Sequence, residues 1–96
     1  MAIGVVATIK VQDGKQNDFE AVFRDLMSQV RANEPGNKLY QVCKSRADGA
    51  TYVVMEIYES EDALKAHGQS DHFKAAGPRI GPTLAGRPDV QYFETI

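Results

Sequence analysis

The chain has 96 residues, 43% of them apolar, and a formal net charge of -2. That is one domain's worth of chain and too apolar for disorder, so residues 1–96 are expected to form a single domain. The 11 basic residues are scattered, not striped among aromatics, which argues against nucleic acid as a partner, and no apolar run nears the ~20 residues that span a bilayer.

The opening Met-Ala-Ile-Gly-Val-Val has no basic stretch and no cleavage-type site, so it does not read as a secretory signal. Cys43 is the only cysteine; an intrachain disulfide is excluded, and a reducing cytoplasm is the expected location. A small buried apolar role suits it better than a reactive thiol.

Ile3 to Val11 alternates, with Ile3, Val5, Ala7, Ile9 and Val11 on one face, which is a strand period. Asp13-Gly14 is a turn. From about Lys15 the spacing of Phe19, Val22, Phe23, Leu26, Met27 and Val30 predicts an amphipathic helix of about five turns. Pro35 disfavours helical geometry at Glu34, and Gly36 supplies a turn.

Lys38 to Ser45 reads as a second strand, joined by Arg46-Ala47-Asp48-Gly49 to a third, Thr51 to Glu59. The third strand is apolar on both sides: Tyr52, Val54, Glu56 and Tyr58 alternate with Val53, Met55 and Ile57. Such a strand is expected to be covered front and back. Ser60 caps a helix that has Glu61 and Asp62 in its first turn. Gly68 interrupts it, and Ser70 caps a second short helix carrying Phe73, Ala76 and Ile80. Gly77, Pro78, Gly81 and Pro82 predict an irregular connection, and Asp89 to Ile96 a closing strand.

The order β-α-β-β-α-β defines the α+β class, a ferredoxin-like four-stranded antiparallel sheet with both helices on one face. The first and third strands fall in the centre. One chain has helices for only one face of the sheet, so a second copy is expected to cover the other, giving a homodimer.

Glu34-Pro35-Gly36, then Tyr40, then Glu56-Ile57-Tyr58-Glu59-Ser60-Glu61-Asp62-Ala63-Leu64, then His67 and Ser70-Asp71-His72-Phe73 carry a resemblance. They resemble the antibiotic biosynthesis monooxygenase family, dimeric α+β barrels of ferredoxin-like fold, over essentially the whole chain. The resemblance implies fold more firmly than chemistry, since the family includes cofactor-free monooxygenases of quinols and phenols, haem-degrading enzymes and an isomerase. This chain departs from its characterised relatives in having Tyr58 where they often have Trp. The Asn, Trp and His set of the haem-degrading branch is missing: the first strand has no Asn, and Gly77 follows Phe73-Lys74-Ala75-Ala76.

A cofactor-free reaction of a small aromatic substrate with O2 needs a general base, a donor for developing negative charge and a water-poor pocket. His67 and His72 are the candidate catalytic bases, because an imidazole titrates near pH 6.5. His67 either faces the pocket or interacts with the free carbonyls of its helix end. His72 either joins it or remains a surface or capping residue. Glu56, mid-strand, either pairs with an Arg or Lys, with Arg46, Arg79 and Arg87 the first candidates, or borders a polar cavity. Tyr58, Tyr40, Phe23 and Phe73 are candidate substrate contacts or plain core, and Arg79 a candidate for an anionic group. No cofactor is expected, and no metal site, because His67 and His72 are five apart and lack a third ligand at a recognisable spacing. Two rival functions stay open: a non-catalytic dimeric module that binds a small ligand or supports another protein, and an isomerase or lyase of a small carbonyl compound that uses the same histidines and an Arg.

Overall fold

A computed structural model describes residues 2–96 of the chain. The elements run β1 (Ile3–Lys10), α1 (Gln16–Asn33), β2 (Asn37–Lys44), β3 (Thr51–Tyr58), α2 (Glu61–Gln69), α3 (Asp71–Ile80), a 3₁₀ turn (Gly81–Thr83) and β4 (Asp89–Glu94). The four strands form one antiparallel sheet in the order β2-β3-β1-β4, with the first and third strands central. This is the ferredoxin-like arrangement with its second helix divided.

The alternation along the central strands sorts their residues between the two faces. Ile3, Val5, Ala7 and Ile9 of β1 and Tyr52, Val54, Glu56 and Tyr58 of β3 are buried toward the helices. α1 lays Phe19, Val22, Phe23, Leu26 and Val30 on them. Phe19 sits between Phe23 and Tyr52, with ring centroids 4.7 and 4.5 Å away. Each such large apolar side chain stabilises the fold by roughly 1.5–3 kcal/mol through burial. The Tyr52 hydroxyl escapes the core by donating to Glu20 on α1.

Both sequence-predicted caps form. The Ser60 hydroxyl accepts from the Ala63 N–H at 3.1 Å, and that of Ser70 accepts from the Phe73 N–H at 3.3 Å. The expected irregular stretch at Gly77-Pro78 is instead helical, since α3 continues to Ile80. Pro78 forgoes one helical hydrogen bond near the end of α3. Ala76 is buried in the core and Ile80 packs against it, which holds that last turn in place. The break falls at Gly81–Thr83.

The other face of the sheet has no helix. Its cross-strand rows are Leu39–Ile57–Gly4–Phe93 and Gln41–Met55–Val6–Gln91. Within one chain Leu39, Met55 and Phe93 are 39%, 43% and 49% exposed, so a large apolar surface lies uncovered. Among the described residues, no helix is long and apolar enough to cross a membrane.

Candidate functional site

The helical side of the sheet encloses a cavity of about 510 Å³. Two cross-strand rows make its floor, Tyr40–Glu56–Val5–Tyr92 and Val42–Val54–Ala7–Val90, of which all but Val42 line it. Phe23 of α1, His67 of α2 and Phe73 of α3 contribute to its roof. The walls are almost wholly apolar. The helices leave β4 bare, so Val90 and Tyr92 remain exposed and the cavity opens along that edge.

A chain turn delivers the charged group behind this wall. α1 ends where Pro35 forbids another turn, with the Glu34 N–H still donating to the Val30 carbonyl at 2.9 Å. The Glu59 N–H then donates to the Gly36 carbonyl at 2.8 Å, tying the turn to the end of β3. A β-carbon at Gly36 would stand 2.7 Å from that of Ala63 on α2, so only glycine permits this approach. The turn therefore seats against α2 and sends the Glu34 carboxylate to the α2–α3 junction.

Ser70 shapes that junction. Its hydroxyl donates to the His67 carbonyl at 2.7 Å, and its N–H donates to the same oxygen at 3.2 Å. Ser70 thus closes α2 and starts α3, and His72, in the first turn of α3, meets the same carboxylate as His67. Nδ1 of His67 lies 2.9 Å from one Glu34 oxygen and 3.1 Å from the other, and Nε2 of His72 also contacts Glu34. A carboxylate only accepts, so both contacting nitrogens carry protons and donate to it. The three side chains are largely buried, at 8% exposure for Glu34, 6% for His67 and 13% for His72.

The His67 ring is clamped by Phe73, Tyr40 and Tyr58, at centroid distances of 4.7, 5.3 and 5.3 Å. Among the described residues, its Nε2 has no hydrogen-bond partner, nor has the Tyr40 hydroxyl, and neither atom is sealed from solvent. Both residues line the cavity. With its proton on Nδ1, His67 offers a lone pair at Nε2. Burial first, then the charges of Glu56 and Glu34, push the Tyr40 hydroxyl far above the ordinary tyrosine range, which keeps it a donor.

Glu56 corrects an expectation. Its partner is not an arginine: the Tyr58 hydroxyl donates to Oε1 at 2.6 Å. Burial raises the Glu56 pKa, opposed first by that hydrogen bond. Tyr58 is fully buried and off the cavity wall, where its hydroxyl supports the Glu56 carboxyl. Arg79 is on the outer surface, 3.1 Å from Asp25 of α1, because its position on α3 points away from the sheet. His72 is off the wall too, on the far side of Glu34. Among the other expected residues, the structure brings His67, Glu56, Tyr40, Phe23 and Phe73 together around one cavity. Sequence reasoning assigned Glu34 only to a turn and missed its two histidine contacts.

The chain matches the antibiotic biosynthesis monooxygenase family over residues 2–79. It is 32% identical over 84 residues to YcnE of Bacillus subtilis (strain 168), a provisionally assigned monooxygenase, covering 88% of this chain and 87% of that one. A crystal structure of a provisionally assigned antibiotic biosynthesis monooxygenase from Caulobacter crescentus CB15 is 52% identical, with a TM-score of 0.96 over 99% of this chain and 90% of that one. A conserved protein from Methanosarcina mazei Go1, 25% identical, has a TM-score of 0.93 over 100% of this chain and 94% of that one. Motifs, fold and relatives agree, and the chain belongs to the antibiotic biosynthesis monooxygenase family.

Proposed function

We propose that this chain is a homodimeric, cofactor-independent monooxygenase that oxidises a small quinol or phenolic aromatic with O2, using His67 as general base. The observation that carries the reading is His67, which lines the cavity and is held at Nδ1 by Glu34. A substrate hydroxyl gives its proton to Nε2. The Tyr40 hydroxyl steadies the resulting anion, and Phe23 and Phe73 flank the flat ring. The anion is electron-rich enough to react with O2 directly. For a quinol, one oxygen atom enters the ring, the other leaves as water, and the four electrons come from the substrate as it becomes a hydroxyquinone. The apolar walls keep bulk water from the reacting anion.

His72 is placed in this reading behind Glu34, as a support for the carboxylate that orients His67. The helix-free face, with Met55 and Phe93, is placed in the dimer interface, where burial of its apolar side chains drives association.

Oxygen uptake by metal-stripped protein, with a panel of hydroquinones under air, tests the function. At least one member should be consumed faster than in buffer, and His67→Gln should lower that rate about 100-fold or more. His72→Ala should lower it less. Uptake at the buffer rate across the panel would overturn the proposal and favour a ligand-binding module.

A further inference from the structure

The Glu34 cluster has a second capacity that the oxidation chemistry does not use. Nδ1 of His67, a carboxylate oxygen of Glu34 and Nε2 of His72 all lie within 4.8 Å of one another. Two imidazole nitrogens and one carboxylate form a donor set of intermediate softness. It suits late first-row divalent ions and zinc, whereas magnesium and calcium favour oxygen ligands alone. Around a tetrahedral zinc with bonds of about 2.0–2.2 Å, such donors stand about 3.3 Å apart. Protons now bridge the donors more closely than that, so an entering ion replaces them and spreads the three side chains slightly. His72 has the room to move, since it is at the start of α3 and is the most exposed of the three.

The surroundings favour a cation. A separate cleft reaches Glu34 and His72 from solvent, with Glu59 and Asp62 on its rim. That cleft provides an entry path and space for water as the remaining ligand. The ring of His67 is fixed by its aromatic neighbours and its backbone by Ser70, so one ligand is already oriented. Sequence spacing concealed the site, because the third ligand comes from the end of α1.

We propose that Glu34, His67 and His72 form a binding site for zinc or a similar late first-row divalent ion, and that its occupancy switches off His67 as a base. An ion on Nδ1 leaves the imidazole proton on Nε2, which turns the atom that serves as base from an acceptor into a donor. The inhibitory half rests on the function proposed above; the binding half does not.

Titration calorimetry of the tag-free, EDTA-treated protein with zinc chloride tests binding independently of activity. One zinc per chain is expected, and His72→Ala and Glu34→Gln should each weaken it about tenfold or more. Cobalt(II) in place of zinc should give the visible absorption of a four- or five-coordinate ion, lost in both variants. If Glu34→Gln does not fold, as judged by circular dichroism, His72→Ala decides the result. No saturable binding up to millimolar zinc, or equal affinity in wild type and folded variants, would overturn the site. Saturating zinc that leaves quinol-dependent oxygen uptake unchanged would overturn the switch alone.

Discussion

Glu34 Oε2 lies 2.9 Å from Nδ1 of His67, although 33 positions separate the two residues in the chain. The contact joins the end of α1 to the last turn of α2 and, in the proposed function, leaves Nε2 of His67 to the substrate. Both the proposed base and the proposed metal site depend on it.

Gly36→Ala tests how that contact is built. The new methyl would meet Ala63, whose β-carbon is fixed to the α2 backbone and cannot swing aside. The expected cost is about 1–3 kcal/mol in urea unfolding, from overpacking. Oxygen uptake should fall as well, because α2 carries His67. Unchanged stability and activity would show that the turn tolerates a side chain.

The raised pKa of Glu56 predicts a pH dependence. A carboxyl that holds its proton more tightly in the fold than in the unfolded chain contributes fully below its unfolded value, near 4.5. That contribution is lost as pH rises through the folded value. Glu56→Gln keeps an oxygen to accept from Tyr58 and cannot ionise. Its urea midpoint should therefore fall less than that of wild type between pH 4 and pH 8. Parallel profiles would show that Glu56 titrates normally.

Arg79→Ala should leave oxygen uptake and stability nearly unchanged, within about 0.5 kcal/mol by unfolding. The Arg79–Asp25 pair is more than half exposed at both ends and distant from the cavity wall. A large rise in KM with native stability would return Arg79 to substrate binding.

Light scattering tests the proposed dimer. Wild type should have twice the 10.6 kDa mass of the chain at micromolar concentration. Met55→Lys, in the middle of the helix-free face, should give monomers by placing a charge where apolar contact is needed. A wild-type monomer would remove the interface.

Much of the fold was legible because its signals are local. The alternation of Ile3, Val5, Ala7 and Ile9, the spacing of Phe19, Phe23, Leu26 and Val30, and the caps Ser60 and Ser70 each depend on neighbours within a turn or a strand. Gly77-Pro78 misled because turn-forming residues are read as breakers, whereas packing of Ala76 and Ile80 kept α3 intact. The site was half legible. Residue type marked His67 and Glu56, but partners come from tertiary geometry: Glu34 reaches His72 across 38 positions, and Tyr58 answers Glu56 from the same strand face. Arginines looked the natural partners for a buried carboxylate, yet a phenol two residues away reaches it without bringing a second charge into the core.

The tautomer of His67 is the most direct test of the account. Long-range ¹H–¹⁵N correlation spectra of the imidazoles distinguish a proton on Nδ1 from one on Nε2. The predicted result for His67 is a proton on Nδ1 and a bare Nε2, with that preference weakened in Glu34→Gln. A proton resident on Nε2 in the wild-type protein would contradict it, because the proposed base would then have no lone pair there to accept a substrate's proton.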